Sequence, residues 1–469
     1  MARNCKTGTY RRRKETRMRS LLRPIRALLG SVALLLLGNG LINTLLTLRG
    51  TSEGFSTTLV GIIMSGYFVG FICGTWFSAR LIRRIGHIRA FAFCAAVCAS
   101  GALLHLIFVN PWVWLILRFF YGLAFVTLVT VIESWLNSQA APHERGRIFA
   151  MYMVVNLGAI AIAQQILRLD TPQGFLLFAL TSILISWALL PITMTRRSQP
   201  VISDRPKSSL KALLGFAPLA VAGSALSGLA MGAFWAMTPV YAKQLGFDNG
   251  DIGLVMSIAI LGGALLQVPI GRFSDKHDRP RVLTWVSVLA AAVAALMPLA
   301  SGQWALFALF FVWGGLSFSL YPIAVAQLID QLNPEEVVSG SADMLVLQGA
   351  GSAVAPILAG VAMNAFGTQA LPFYIAGVLA LLAVYALYRR RYVSSIVSGE
   401  TAHFEPMVQT SHEALAMIFE DHQHDLFDDP SFYEEQERER LIEAAAERDS
   451  TAEVSRRPQR RPALSDTAR

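Results

Sequence analysis

The chain has 469 residues, of which 54% are hydrophobic and 15% charged, with a mean hydropathy of +0.49. A soluble domain carries about 25% charged and roughly 45 to 50% apolar residues, so a water-soluble core is excluded. The formal charge of +9 would suit a nucleic-acid partner, but the basic residues recur in every second connection between apolar stretches, which is a membrane topology signal, and no nucleic-acid partner is expected.

Residues 1–26 read as a basic cytoplasmic tail carrying Arg11, Arg12, Arg13, Lys14, Arg17, Arg19, Arg23 and Arg26. A helix needs roughly twenty apolar residues to cross a bilayer. Residues 27–195 supply Ala27 to Leu48, Thr57 to Ala79, Ala90 to Val109, Pro111 to Leu136, Ile148 to Leu167 and Phe175 to Thr195. The first is too long for a signal-peptide core and lacks a small-residue cleavage site, so it reads as a retained helix. A polar linker, 196–211, contains Pro200, Pro206 and several serines. Residues 212–391 supply Ala212 to Ala242, Ile252 to Gly271, Val282 to Ser301, Gln303 to Ile329, Met344 to Phe366 and Leu371 to Tyr388. Residues 392–469 form an acidic, then basic tail, read on composition as cytoplasmic and partly disordered. Twelve spans and the alternation of basic connections put both termini in the cytoplasm. One connection on that side, Asp330 to Ser339, carries Glu335 and Glu336 and no base.

The halves are related by one offset. Shifting by 192 positions carries Arg89 onto Arg281, Gly61 onto Gly253, Met64 onto Met256, Ser65 onto Ser257, Gly70 onto Gly262, Arg80 onto Arg272, Trp112 onto Trp304, Gly122 onto Gly314 and Pro142 onto Pro334. The predicted fold is therefore an all-α membrane protein of twelve transmembrane helices in two six-helix, pseudo-symmetric bundles, a parallel repeat.

Several motifs narrow the class. Gly271-Arg-Phe-Ser-Asp275-Lys276-His-Asp278-Arg279-Pro-Arg281 resembles the signature between the second and third helices of each half in the major facilitator superfamily, with Asp278 in place of the usual second glycine. The first-half copy keeps Arg84, Gly86 and Arg89 but has Ala79 for glycine and Arg83 for the aspartate. Arg118-x-x-x-Gly122 is similar to the superfamily's fourth-helix arginine motif. The run Glu133-Ser-Trp-Leu-Asn137, with Arg145 to Tyr152 and Asn156-Leu-Gly, resembles the YcaD-like branch. The resemblance covers roughly Leu22 to Arg391. It implies the major facilitator fold, solute transport by alternating access, a small-molecule substrate, a lipid surround and a bacterial inner-membrane location.

Arg118 is the leading candidate to line a solute cavity, because a guanidinium within a span costs about 2.5 to 3.5 kcal/mol on insertion scales unless it meets water or a partner. The alternative is a structural arginine held by backbone carbonyls or snorkelling toward the periplasmic side. Asn39 and Asn43 share one face of the first span, and Asn156 falls on Gln348 under the offset. These amides either hydrogen-bond a solute or join helices to one another. Trp235, Tyr67, Gln267 and Tyr321 are further candidates. Gly66, Gly70 and Gly74 recur every four residues and read as a packing face. His105 is either a polar residue at the membrane interface or a proton carrier.

The motifs also suggest a cytoplasmic gate of Arg83, Arg84, Arg89, Glu133, Arg147, Asp275, Arg279 and Asp343. In the superfamily's usual pattern the loop aspartate faces the positive end of a helix from the other half. Asp275 is expected to meet the start of the fifth span near Arg147. Arg83 reverses that charge, so Asp343 at the start of the eleventh span is its expected partner, with Glu133 holding Arg84 or Arg89.

Cys5, Cys73, Cys94 and Cys98 lack zinc spacing, and His422-x-His424 lacks a helical ligand spacing, so no metal is expected. No cofactor is expected either, since there is no phosphate loop, nucleophile elbow or HExxH motif, which leaves an enzyme without residues. Two other readings stay open: a non-transporting membrane sensor or scaffold with a cytoplasmic partner for the C-terminal tail, and a lipid flippase.

Overall fold

The computed structural model describes residues 2–139, 145–193, 210–332, 336–392 and Met407, with side chains omitted for 2–25, 210–212, 338 and 390–392. Residues 196–209 of the expected linker, Pro142, Pro334 and the expected C-terminal tail from 393 on, other than Met407, lie outside the described residues. Among the described residues, twelve helices are long and apolar enough to cross a membrane. They are α1 (Arg26–Ser52), α2 (Thr57–Ile85), α3 (His87–Ile107), α4 (Pro111–Gln139), α5 (Arg145–Leu169), α6 (Phe175–Thr193), α7 (Pro218–Gln244), α8 (Asn249–Asp275), α9 (Arg279–Leu299), α10 (Gln303–Ile329), α11 (Ser339–Phe366) and α12 (Ala370–Arg389). Helix α1 is continuous with preceding helix back to Ala2.

The helix ends depart from the apolar stretches for local reasons. Helix α2 runs on through Arg80, Arg83 and Arg84, and only Gly86 separates it from α3. Gly86 has φ +83°, and its amide closes the helix on the Ile82 carbonyl at 2.8 Å. That conformation is cheap only for glycine. Under the 192 offset its counterpart is Asp278, with φ −57°, in a longer turn between α8 and α9. No positive φ is needed there, which accounts for the missing glycine of the motif. The apolar stretch beginning at Ala212 is broken at Ala217, between a short helix Leu210–Phe216 and α7, because Pro218 disfavours helical geometry at the residue before it. Helix α6 is interrupted at Ala188, where Pro191 has no amide to offer the Trp187 carbonyl.

Within the first half, α1 packs on α5 and α6, α2 on α4, and α3 on α4 and α6. The second half repeats this, with α7 on α11 and α12, α8 on α10, and α9 on α10 and α12. The halves meet chiefly along α2–α11 and α5–α8, and α1 also touches α7.

The repeat holds at the level of single atoms. A Cβ on Gly70 would strike the carbonyl of Phe119, and one on Gly262 would strike that of Phe311. Gly122 lies against the Tyr67 carbonyl and Gly314 against that of Ala259. Between the halves, Gly61 lies against the Pro356 carbonyl and Gly253 against that of Gln164. In every pair the same offset of 192 relates both partners. The last pair joins the halves at the end opposite the termini, with help from polar contacts. Thr57 donates to the Gly360 carbonyl at 2.8 Å, Gln165 to the Ser257 hydroxyl at 2.6 Å, and Ser257 to the Ala161 carbonyl at 2.8 Å.

Filling one of these crossings should be costly. Gly70→Leu and Gly262→Leu should each destabilise the protein by at least about 1 to 3 kcal/mol, because backbone rather than a flexible side chain must move. A Cβ on Gly30 would meet nothing within 4 Å beyond its own helix, and Gly30→Leu should melt like the parent. Thermal unfolding of the purified variants checks this; equal melting of all three would show that the crossings yield freely.

Candidate functional site

The glycine face of α2 sets the site. Gly66, Gly70 and Gly74 lie against the backbone of Leu115, Phe119 and Leu123 on α4, so the two helices approach at backbone distance for two turns. That approach brings the Tyr67 ring beneath the guanidinium of Arg118, with the ring centroid 4.6 Å from Cζ, and Tyr121 adds a second ring at 5.5 Å. From α1, Asn43 accepts a 2.5 Å hydrogen bond from Arg118 Nη2. Arg118 is completely buried. Its Nε and Nη1 have no hydrogen-bond partner, and no described carboxylate lies within ion-pair distance. Cation–π contacts contribute about 0.5 to 2 kcal/mol each, and a hydrogen bond from a charged donor about 1.5 to 3 kcal/mol. These offset much of the desolvation cost and leave two donor nitrogens uncommitted.

Two adjoining compartments lie between the halves. The first, with about 420 Å³ including its opening to solvent, is the more polar of the two: Asn39, Asn43, Thr44, Arg118 and Gln164 stand there beside Met64, Phe68, Ile160 and Trp235. The second, with about 660 Å³ including its mouth, is mostly apolar, lined by residues such as Phe71, Met231, Phe318, Tyr321 and Leu345. Tyr67, Phe68 and Trp235 face both. Asn39 is buried in the first with its Oδ1 unpartnered, while Gln348 lines the second. Asn156 is buried on α5 and lines neither compartment.

Gln267 has a structural task. Pro322 cannot donate to the Phe318 carbonyl one turn earlier, and Gln267 Nε2 supplies that bond at 3.1 Å. His105 is buried between α3 and α4 close to the end of α3, its Nδ1 2.6 Å from the Gly101 carbonyl. Thr44 and Gln164 were not singled out from the sequence. Thr44 donates to Gln164 Oε1 at 2.7 Å, and Gln164 Nε2 donates to the Gly40 carbonyl at 3.3 Å, so together they build the α1–α5 wall of the polar compartment. The signal available for Gln164 was its amide at an intramembrane position.

At the end bearing the termini, Arg83, Arg84, Arg89 and Arg147 are exposed and Asp343 is half-buried. Glu133 is fully buried and accepts a 2.6 Å hydrogen bond from the Tyr152 hydroxyl, tying α4 to α5. Arg279 is 3% exposed and ion-pairs with Asp275 at 3.2 Å and Asp330 at 2.6 Å, which ties α8, α9 and the end of α10 within the second half. Asp330, read from sequence only as part of an exception to the basic pattern, is thus a partner of the motif arginine. In the first half the position matching Arg279 is His87, buried 3.0 Å from the Ser134 hydroxyl and stacked on Trp135.

A family model described as Major Facilitator Superfamily matches residues 28–250 and 220–421. The chain belongs to the major facilitator superfamily. It is 31% identical over 365 residues to the uncharacterized MFS-type transporter YcaD of Salmonella heidelberg and of Salmonella typhimurium, a match covering 77% of this chain and 94% of each relative. Among solved structures, the nucleoside transporter NupG superposes with a TM-score of 0.65 at 15% identity, covering 79% of this chain and 99% of that one. A bacterial homologue of the human lysosomal transporter Spinster, in an inward-facing and occupied conformation, gives 0.64 at 12% identity, covering 80% and 97%. Both share the fold. The superfamily protein described here is an integral membrane secondary transporter of the YcaD-like branch and not an enzyme.

The ion pairs of this transporter's second half differ in burial, and that sets their worth. Asp330→Ala takes the nearer acid from a buried arginine and should cost roughly 3 kcal/mol. Arg281 pairs with Asp278 at 3.1 Å but is 60% exposed, so Arg281→Ala should change stability by no more than about 1 kcal/mol. Thermal unfolding separates the two, and an equal or reversed order would contradict the burial argument.

Proposed function

We propose that the transporter moves a small polar solute carrying an anionic or strongly hydrogen-bonding group, by alternating access of its two six-helix bundles, in a bacterial inner membrane. The observation that carries this reading is Arg118: a buried guanidinium on the cavity wall, held by Asn43 and Tyr67, with Nε and Nη1 uncommitted. A planar fork of donors suits a carboxylate or phosphate. The apolar second compartment would take the remainder of such a solute. Asn39, Asn43 and Trp235 complete the proposed binding surface, Gln348 adds a polar group to the second compartment, and Asn156 serves the α4–α5 contact around Tyr152 rather than the solute.

A screen of the purified full-length chain for ligand-induced thermal stabilisation tests this, since a ligand that binds only the folded state raises apparent stability, by about 2.7 kcal/mol at one hundred times its Kd. Organic anions with aliphatic or aromatic substituents should stabilise the parent, whereas matched neutral or cationic compounds should not. Arg118→Lys retains charge but loses the fork, and should lose most of the stabilisation while still inserting in the membrane. An anion that stabilises Arg118→Ala as well as the parent would remove Arg118 from the site.

For alternation, we place the gate at the end bearing the termini, with Arg83 facing Asp343 across the halves and Glu133, Arg84, Arg89 and Arg147 beside it. Asp275 and Arg279 hold the second half rigid there. With a solute from the screen in proteoliposomes, Arg83→Asp and Asp343→Arg should each impair uptake, and the double exchange should recover much of it. A double variant no better than the worse single would dispose of the pair.

A further inference from the structure

Buried hydroxyls on these helices commonly bond to the carbonyl one turn earlier. Thr127, Thr130, Thr181, Ser287 and Ser319 all do so, at 2.7 to 3.1 Å. Ser317 and Tyr321 on α10 do not. They are 1% and 4% exposed, and neither hydroxyl oxygen has a hydrogen-bond partner among the described residues. A buried polar group left in that condition costs stability, so it asks for an explanation. Ser31, Ser65 and Ser341 are also buried and unpartnered, but they line neither compartment, whereas Ser317 and Tyr321 both line the second.

The two residues stand four positions apart, one above the other on a single helical face. Phe318, next to Ser317, packs its ring 5.9 Å from that of Trp235, and Trp235 also faces the compartment that holds Arg118. A path therefore runs from the guanidinium past Trp235 to the two hydroxyls. A hydroxyl both donates and accepts, so the pair can bond a neutral hydroxyl or carbonyl. A second charge is unsuited to the place, because none of the described residues lining this compartment is charged and Phe71, Met231 and Leu345 share its wall.

We propose that Ser317 and Tyr321 form a second anchor, for a neutral hydrogen-bonding group on the apolar part of the solute. The substrate class is then an organic anion with a hydroxyl or carbonyl at the end remote from its charge. This rests on the Arg118 reading for the anionic end. A solute that lacks the distal group leaves both hydroxyls buried and unpaired, which is how such a site rejects an analogue.

Matched aryl carboxylates test the anchor: benzoate, phenylpropionate and biphenylcarboxylate, each without a para substituent, with a para hydroxyl and with a para carboxylate. They set the polar group at three distances from the anion. In calorimetric titration of the purified full-length chain, at one length or more the hydroxylated compound should bind at least about fivefold more tightly than the unsubstituted one, the worth of a hydrogen bond or two. In the Ser317→Ala/Tyr321→Phe double variant both should bind as the unsubstituted compound binds the parent. Arg118→Ala should weaken both members and keep their ratio, so loss of the arginine and loss of the anchor read differently. The proposal is overturned if no hydroxylated compound binds, if no length shows the preference, if the preference survives in the double variant, or if a para carboxylate binds tightest. Melting of the solute-free protein gives a second reading. Ser317→Ala and Tyr321→Phe each remove a buried hydroxyl that has no partner, so each variant should melt no lower than the parent; a lower melting temperature in either would make that hydroxyl structural and overturn the anchor.

Discussion

Two helices can share backbone contact only where no Cβ intervenes, and the transporter depends on that constraint at each of its main crossings. Glycine against carbonyl joins α2 to α4 and α8 to α10 within the halves, and α2 to α11 and α8 to α5 between them. In a bilayer the lipid is as apolar as any leucine, so helices are held by such close packing and by a few polar contacts rather than by exclusion from water. The consequence for function is direct. Tyr67 reaches the Arg118 guanidinium because Gly66 and Gly70 bring α2 onto α4. A smooth interface of glycine against carbonyl also suits α2–α11 and α5–α8, where the proposed alternating access would turn one bundle on the other.

Much of this was legible in the sequence, because membrane insertion demands long apolar windows and duplication leaves a fixed offset. The twelve spans, the pairing of Gly61 with Gly253 and of Gly70 with Gly262, and the buried charge at Arg118 all follow from those two signals. Helix ends were less legible. Hydropathy stops at Ala79, but the helix does not, since Arg80, Arg83 and Arg84 are good helix formers and only Gly86 breaks the chain. The break at Ala217 was hidden inside an unbroken apolar window, although Pro218 was the signal for it.

Partners were the least legible part, because they depend on how helices cross. Nothing in linear order pairs Tyr67 and Tyr121 with Arg118, Thr44 with Gln164, or Asp330 with Arg279. Charge counting treated the Asp330 connection as an anomaly in topology, when that acid is needed beside a buried arginine. The same geometry explains why Arg279 has no charged counterpart in the first half. There His87 meets Ser134 and Trp135, neutral groups that do the joining without an ion pair.

The offset also explains why the cavity has a polar and an apolar compartment. It carries Asn39 onto Met231, Asn43 onto Trp235 and Arg118 onto Phe310. Asn39, Asn43 and Arg118 line the polar compartment; Met231 lines the apolar one, Trp235 stands between the two, and Phe310 is buried against Tyr241 and Trp313. Scaffold positions, the glycines and the carbonyls they meet, stayed alike in the two halves because backbone contact tolerates no side chain. Cavity positions carry no such constraint and diverged, one half toward hydrogen bonding and charge, the other toward aromatic and thioether surface. A symmetric cavity would bind a symmetric or featureless solute. This one presents a charged fork on one side and an apolar wall on the other, which orients whatever enters and restricts its chemistry to molecules with both characters.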